Sequence, residues 1–333
     1  MKQKIELPLL KPLFSTYHYE GMATAILTEN PSIRNWYLNE AVSLVCSRRF
    51  LRGYTSPELR MVRSSWSDNP HLEKLQFDAK FVGGHIHFII RKLLDAGYYV
   101  YFCGVDDYYL EGKSWYGERH FTHDGCICGY DQENKTYCIY AYDKDWIYQK
   151  FWTSQKSFET GRKVVFEKLK YGSVCGIKPT QDKITFSPET ALERMKEYLD
   201  SDIEKYPENA DGDVYGIVVH NYIAKYVEKL HSGSIPYERM DRRVFRLIWE
   251  QKKAMLERIR LIEQHFSLGA DISKEYEALV KDADNCRMLY ASHHMKQRNS
   301  VLPIIQKKLL SLNEKDKMLL ENLIESVKGE NKK

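Results

Sequence analysis

The hydrophobic period of this chain changes once, near residue 180, and that change excludes any single repeated architecture. Before it, short apolar runs at Tyr98 to Cys103, Gly125 to Tyr130, Thr136 to Tyr142 and Ser173 to Ile177 read as strands. Helical stretches are expected among them at Ala23 to Thr28, Leu38 to Cys46 and Gly84 to Ala96. Beyond Ser187-Pro188, a serine cap followed by a proline suited to the first helical position, almost everything has helical period. The spacing predicts helices from about Pro188 to Tyr206, Asp211 to Leu230, Arg239 to His265, Ser273 to Met295, Leu302 to Leu310 and Asn313 to Val327. The 333 residues are enough for two domains, and we expect an α+β chain with a mixed domain over 1–180 and an all-α helical domain over 188–328.

Charge and composition narrow the function classes. The net charge of +4 is small against 50 basic and 46 acidic residues, and no basic block argues for nucleic acid. There is no glycine-rich phosphate loop or dinucleotide fingerprint, so no cofactor is expected. The N-terminal segment carries charge where a signal peptide would need its apolar core, and no apolar run reaches membrane-spanning length. With seven cysteines and no small-domain disulfide framework, reduced thiols and a cytoplasmic location are the expectation.

The segment carrying most chemistry runs from Arg119 to Asp143. Two strands are joined by the polar stretch Tyr130 to Lys135, with a histidine where the first begins and an aspartate where the second ends. Successive strand side chains alternate faces, so His123, Gly125 and Ile127 share one and Asp124, Cys126 and Cys128 the other. Closing the hairpin brings the outer ends together, and these hold His123 and Asp143. A carboxylate beside an imidazole fixes its tautomer and stabilises the imidazolium, as acyl-transfer sites require. A histidine hydrogen-bonded within a loop would show the same spacing.

The order His123, five residues, Gly129-Tyr130-Asp131, then a short strand ending in Asp143 resembles the second half of the papain-like domain of bacteriocin leader peptidases. With Leu93 to Tyr101 and Val105 to Leu110 leading into it, the segment is more similar to the N-terminal domain of the butirosin biosynthesis protein H family. The likeness covers roughly the first half of the chain, and the helix Tyr237 to Met255 resembles that family's C-terminal helical part. It implies a papain-like fold, with His123 as base and Asp143 as its orienting acid. It also implies action on intermediates held by an acyl or peptidyl carrier protein in nonribosomal peptide or polyketide assembly, with a small-molecule acceptor. His18, Tyr19, Asp106 and His120 are candidate substrate-binding residues around that pair.

The chain departs from the family at the nucleophile. Where the family has a cysteine at the start of its first long helix, this chain has Glu20, in Tyr17-His18-Tyr19-Glu20-Gly21. A carboxylate attacking a thioester would give a mixed anhydride, so Glu20 is expected to serve as an additional acid or base. None of the seven cysteines carries a signal of a lowered thiol pKa, and each reads as a small hydrophobe. Cys126 with Cys128, His85 with His87 and His120 with His123 lack the spacing of a zinc site, so no metal is expected.

Arg239, Arg242, Arg243 and Arg246 form a basic run that could receive an acidic carrier protein or be a solvated helix face. Two function classes follow: an acyltransferase or thioester hydrolase in which water or an amine attacks directly, or a catalytically silent partner of an assembly line. Peptidase activity would rest on fold alone.

Overall fold

The computed structural model describes residues 3–26, 31–53, 56–201, 212–269 and 271–330. In chain order the first elements are β1 (Lys4–Glu6), α1 (His18–Ala25), α2 (Pro31–Glu40), β2 (Leu44–Ser47), β3 (Arg60–Met61), β4 (Leu72–Asp78), α3 (Ala79–Val82) and α4 (Ile86–Asp95). Then come β5 (Tyr99–Asp106), β6 (Thr122–Asp131), β7 (Thr136–Tyr142), β8 (Tyr148–Ser154), α5 (Gln155–Leu169) and β9 (Ser173–Pro179). The rest is α6 (Pro188–Leu199), β10 (Asp213–Tyr215), α7 (Val219–His231), α8 (Val244–Phe266), α9 (Ile272–Lys296) and α10 (Leu302–Glu330). The chain is thus mixed α/β, with an antiparallel sheet and a C-terminal helical part. It divides into two compact units, Met1–Arg34 with Ser64–Ile184, and Asn35–Arg63 with Thr185–Lys333.

The first unit is built on a seven-stranded antiparallel sheet in the order β4-β9-β5-β6-β7-β8, with β1 added on β6. Alternation along the central strands decides what each face buries. Val100, Phe102, Ile127 and Ile139 pack with Ile86, Ile90 and Leu94 of α4 and Phe158 of α5 into one core. On the other face α1 approaches closely, and Gly21 is what permits it: a Cβ there would lie 2.6 Å from the Tyr148 ring. Near its end β5 carries a bulge at Gly104, whose φ of +80° suits glycine. The bulge shifts the register, so Cys103 faces Asp124 while Val105 faces His123.

In the second unit β2 pairs with β10 and with β3 in a small antiparallel sheet. Around Met255, Ile259, Leu279, Leu320 and Leu323 the helices form one apolar core. Residues 35–63 belong here for a physical reason. The fully buried Arg258 guanidinium donates to the carbonyls of Tyr37, Leu38 and Ala41 at 2.9, 2.6 and 2.5 Å, satisfying the open C-terminal end of α2. Gln251 adds a bond to the Val42 carbonyl at 3.1 Å.

Several boundaries differ from the sequence reading. Leu38 to Cys46 is not one helix: α2 ends at Glu40 and Leu44–Ser47 is a strand, because its backbone pairs with the distant β3 and β10. The helix expected over Asp211 to Leu230 yields β10 and then α7, the one expected from Arg239 begins at Val244, and α10 runs unbroken through Asn313. The expected continuation of α6 to Tyr206 and the end of the Ala23 to Thr28 stretch lie partly outside the described residues.

Candidate active site

The end of β5 supplies adjacent carboxylates with different work. Asp106 Oδ1 accepts the backbone N–H of Tyr108 at 3.1 Å and of Phe121 at 3.0 Å, and Oδ2 meets His120 Nδ1 at 2.7 Å. It therefore closes the loop between β5 and β6 on itself, while the His120 ring, more than half exposed, stacks on Tyr108 with centroids 4.3 Å apart. Asp107, in the short 3-10 turn Asp107–Tyr109, is buried and places Oδ2 2.5 Å from His123 Nδ1. A bond at Nδ1 leaves Nε2 for chemistry, and Nε2 has no hydrogen-bond partner among the described residues. The ring is about one-quarter exposed.

Behind Asp107 lies Lys113, whose Nζ is 3.7 Å from Asp107 Oδ1 and 5.9 Å from the centre of the Phe151 ring. Nζ is buried and makes no hydrogen bond among the described residues. Burial pulls its pKa down, against the attraction of Asp107 and Asp124. The resulting row of Lys113, Asp107 and His123 fixes the imidazole at Nδ1 and so sets its orientation.

A second imidazole lies beside the first. His18 opens α1, and its ring is edge-on to His123 with centroids 5.2 Å apart. Its Nδ1 is 3.0 Å from Asp124 Oδ1, and its Nε2 accepts the Tyr142 N–H at 3.4 Å. Burial pulls His18 below its ordinary value, which agrees with a neutral ring that donates from Nδ1 and accepts at Nε2. Asp124 is held at about 2: burial opposes its ionisation and is outweighed by the hydrogen bonds from His18 and from the Tyr101 hydroxyl. His18 is thus committed on both nitrogens.

The structure brings His123, His18 and Asp124 together, and among the described residues no hydrogen bond joins Asp143 to His123. Asp143 Oδ1 accepts the N–H groups of Asp145 and Ile147, both at 2.9 Å, and Oδ2 is taken by the Gln149 amide. The expected pairing of His123 with Asp143 is therefore corrected to His123 with Asp107. The reason is local: the turn after β7 reverses the chain at once, and three short-range donors satisfy the carboxylate where it stands. Glu20 has no exposed surface and accepts from Ser64 Oγ at 2.7 Å within the fold. Tyr19 is half-buried and stacks on Tyr17 with centroids 5.3 Å apart.

The sequence reading missed Asp107, Lys113 and Tyr101. Asp107 had a visible signal, since two aspartates end an apolar strand at Val105-Asp106-Asp107. Burial pushes the Cys103 and Cys126 thiols up, and Cys175 and Cys286 to about 11, so none of these is a thiolate near neutral pH. Among the described residues no cluster of three or more His, Cys, Asp or Glu could hold a metal ion, and no helix is long and apolar enough to cross a membrane. The chain matches no protein-family model and no curated protein.

Proposed function

We propose that this chain hydrolyses or transfers acyl groups held as thioesters, with His123 as general base and Asp107 as its orienting acid. The observation that carries the reading is the His123 imidazole, fixed at Nδ1 by a buried carboxylate and bearing a free, partly exposed Nε2. Nε2 would take the proton from an attacking water or amine as that nucleophile adds to the carbonyl. Collapse of the adduct breaks the C–S bond, and the imidazolium returns the proton to the departing thiolate. No covalent acyl-enzyme is formed, so catalysis rests on positioning and on the base. Glu20 is enclosed and accepts from Ser64 Oγ, which ties α1 to the segment at Ser64.

The resemblance to butirosin biosynthesis protein H supplies the rest of the proposal: a papain-like first unit, a substrate tethered to an acyl or peptidyl carrier protein, and a cytoplasmic setting in secondary-metabolite assembly. Arg239 and Arg242 are exposed and would be the docking cations, although Arg239 also reaches the Gly53 carbonyl at 3.5 Å. Arg243 binds the buried Asp241 at 2.9 Å and Arg246 meets Glu250 at 3.3 Å, which leaves these two less to offer an acidic partner. The second reading, a catalytically silent assembly-line partner, is favoured by one fact: a glutamate stands where the family nucleophile would be.

Single-turnover release from acyl-pantetheine and acyl-carrier thioesters, with and without added amine, tests the proposal. Release in the wild type that is lost in His123→Ala and retained in Glu20→Gln supports the base mechanism. Carrier binding without release in the wild type moves the assignment to the silent partner.

A further inference from the structure

The turn between β7 and β8 holds a bulky residue where a glycine would be least strained. Trp146 has φ of +59°, a left-handed conformation that is strained for an L-residue. The Asp143 carboxylate bonds to Asp145 and Ile147 lock the turn around it. Burial does not offset that strain, because Trp146 is 50% exposed and the adjacent Ile147 is 53% exposed. A strained residue kept at a surface points to use by something outside the fold.

The loop between β5 and β6, at the same end of the sheet, presents matching surface. Trp115 meets Trp146 edge-on with centroids 5.8 Å apart, which ties the two loops together. Tyr116 is 51% exposed and Phe121 39% exposed. The Phe121 ring lies edge-on to His123 with centroids 4.4 Å apart, so one exposed aromatic of this loop touches the imidazole. Lys113, in the loop between β5 and β6, lies 3.7 Å from Asp107 of the same loop.

We infer that Trp115, Tyr116, Phe121, Trp146 and Ile147 form an acyl-group subsite selecting apolar or aromatic acyl chains over short ones. The inference rests on the assignment of His123 as the base. Continuity from Phe121 to His123 places a carbonyl at the imidazole when its apolar chain lies on the rim. Aromatic faces supply large apolar area with little conformational freedom to lose, which suits a chain-length selector.

The test compares acetyl-, octanoyl- and phenylacetyl-pantetheine in the wild type, Trp146→Gly and Tyr116→Ser. Wild-type kcat/KM for octanoyl and phenylacetyl thioesters should exceed that for acetyl at least about tenfold, the factor expected from burying roughly 60 Å² of apolar surface. In Trp146→Gly that ratio should fall toward one. This variant relieves the positive φ but gives up the Trp115 contact, so its fold is checked alongside. Should Trp146→Gly fold poorly by circular dichroism, Tyr116→Ser carries the same comparison with a smaller loss. Equal kcat/KM across the three thioesters, or a preference unchanged in the variants, would overturn the subsite and leave the base assignment standing. If no thioester is turned over, the proposed function fails, and binding of the non-hydrolysable octanoyl- and acetyl-amide analogues of pantetheine decides the subsite. Octanoyl binding at least about tenfold tighter in the wild type, lost in Trp146→Gly, supports it, and equal binding overturns it.

Discussion

In the first unit Lys113 lies beside Asp107, and in the second Lys252 lies beside Asp316; all four side chains are buried. The difference is in what else touches the carboxylate. Asp316 is enclosed by hydroxyls, accepting from Tyr198 at 2.8 Å and from Tyr276 at 2.5 Å while bonded to the Lys252 ammonium. Asp107 spends one oxygen on His123, whose ring reaches solvent. The second network closes on itself inside a helical core, whereas the first meets an imidazole that is about one-quarter exposed. A buried ion pair is therefore by itself no sign of a site.

Breaking the sealed network should have the largest effect on stability. Asp316→Ala leaves the Lys252 ammonium without its counter-charge, and we expect unfolding free energy by denaturant titration to drop by about 3–5 kcal/mol. The double variant Lys252→Met with Asp316→Leu should recover most of that, since apolar replacement of a buried pair is often neutral or better. A double variant as unstable as the single one would mean that hydrogen bonds to the tyrosines, rather than the stranded charge, dominate.

The next effect sharpens the contrast between the imidazoles. Burial, followed by the nearby Lys252 ammonium, pushes His220 down to about 3. The unfolded chain takes up this proton near pH 6.5 and the folded chain does not, so stability is fullest above that pH and falls as the pH drops toward 3. Between pH 7 and 5 His220 alone should cost about 2 kcal/mol. His220→Gln should flatten that slope in denaturant titrations at the two pH values; an unchanged slope would assign the acid sensitivity to other groups.

The smallest effect is local to the second unit. Ser187 Oγ accepts the Thr190 N–H at 3.1 Å and caps α6. Ser187→Ala should lower stability by about 1 kcal/mol in the same titration, and a loss several times larger would show that the Asn39 bond to the Ser187 N–H at 2.9 Å fails with the cap.

What the sequence disclosed followed the range of the interactions involved. The cap at Ser187-Pro188 and the strand Thr136–Tyr142 were legible because propensity and alternation act over a few residues. The place of Leu44–Ser47 was not, since its strand character comes from pairing with residues as distant as Asp213–Tyr215. His123 was legible as a histidine at a strand's start, but the carboxylate at its Nδ1 was not. Parity placed Asp143 opposite, whereas the Gly104 bulge and the 3-10 turn after it deliver Asp107 from the strand on the other side. The role of Lys113 depends on burial, which no spacing reveals.

We propose that His123 works through Asp107 and not through Asp143. Single-turnover thioester release compared between Asp107→Asn and Asp143→Asn tests it most directly. The account predicts that Asp107→Asn slows release by about 10²–10⁴-fold, the scale set by losing the acid that orients a catalytic histidine, and that Asp143→Asn slows it far less. Full activity in Asp107→Asn, or a collapse confined to Asp143→Asn, would contradict it.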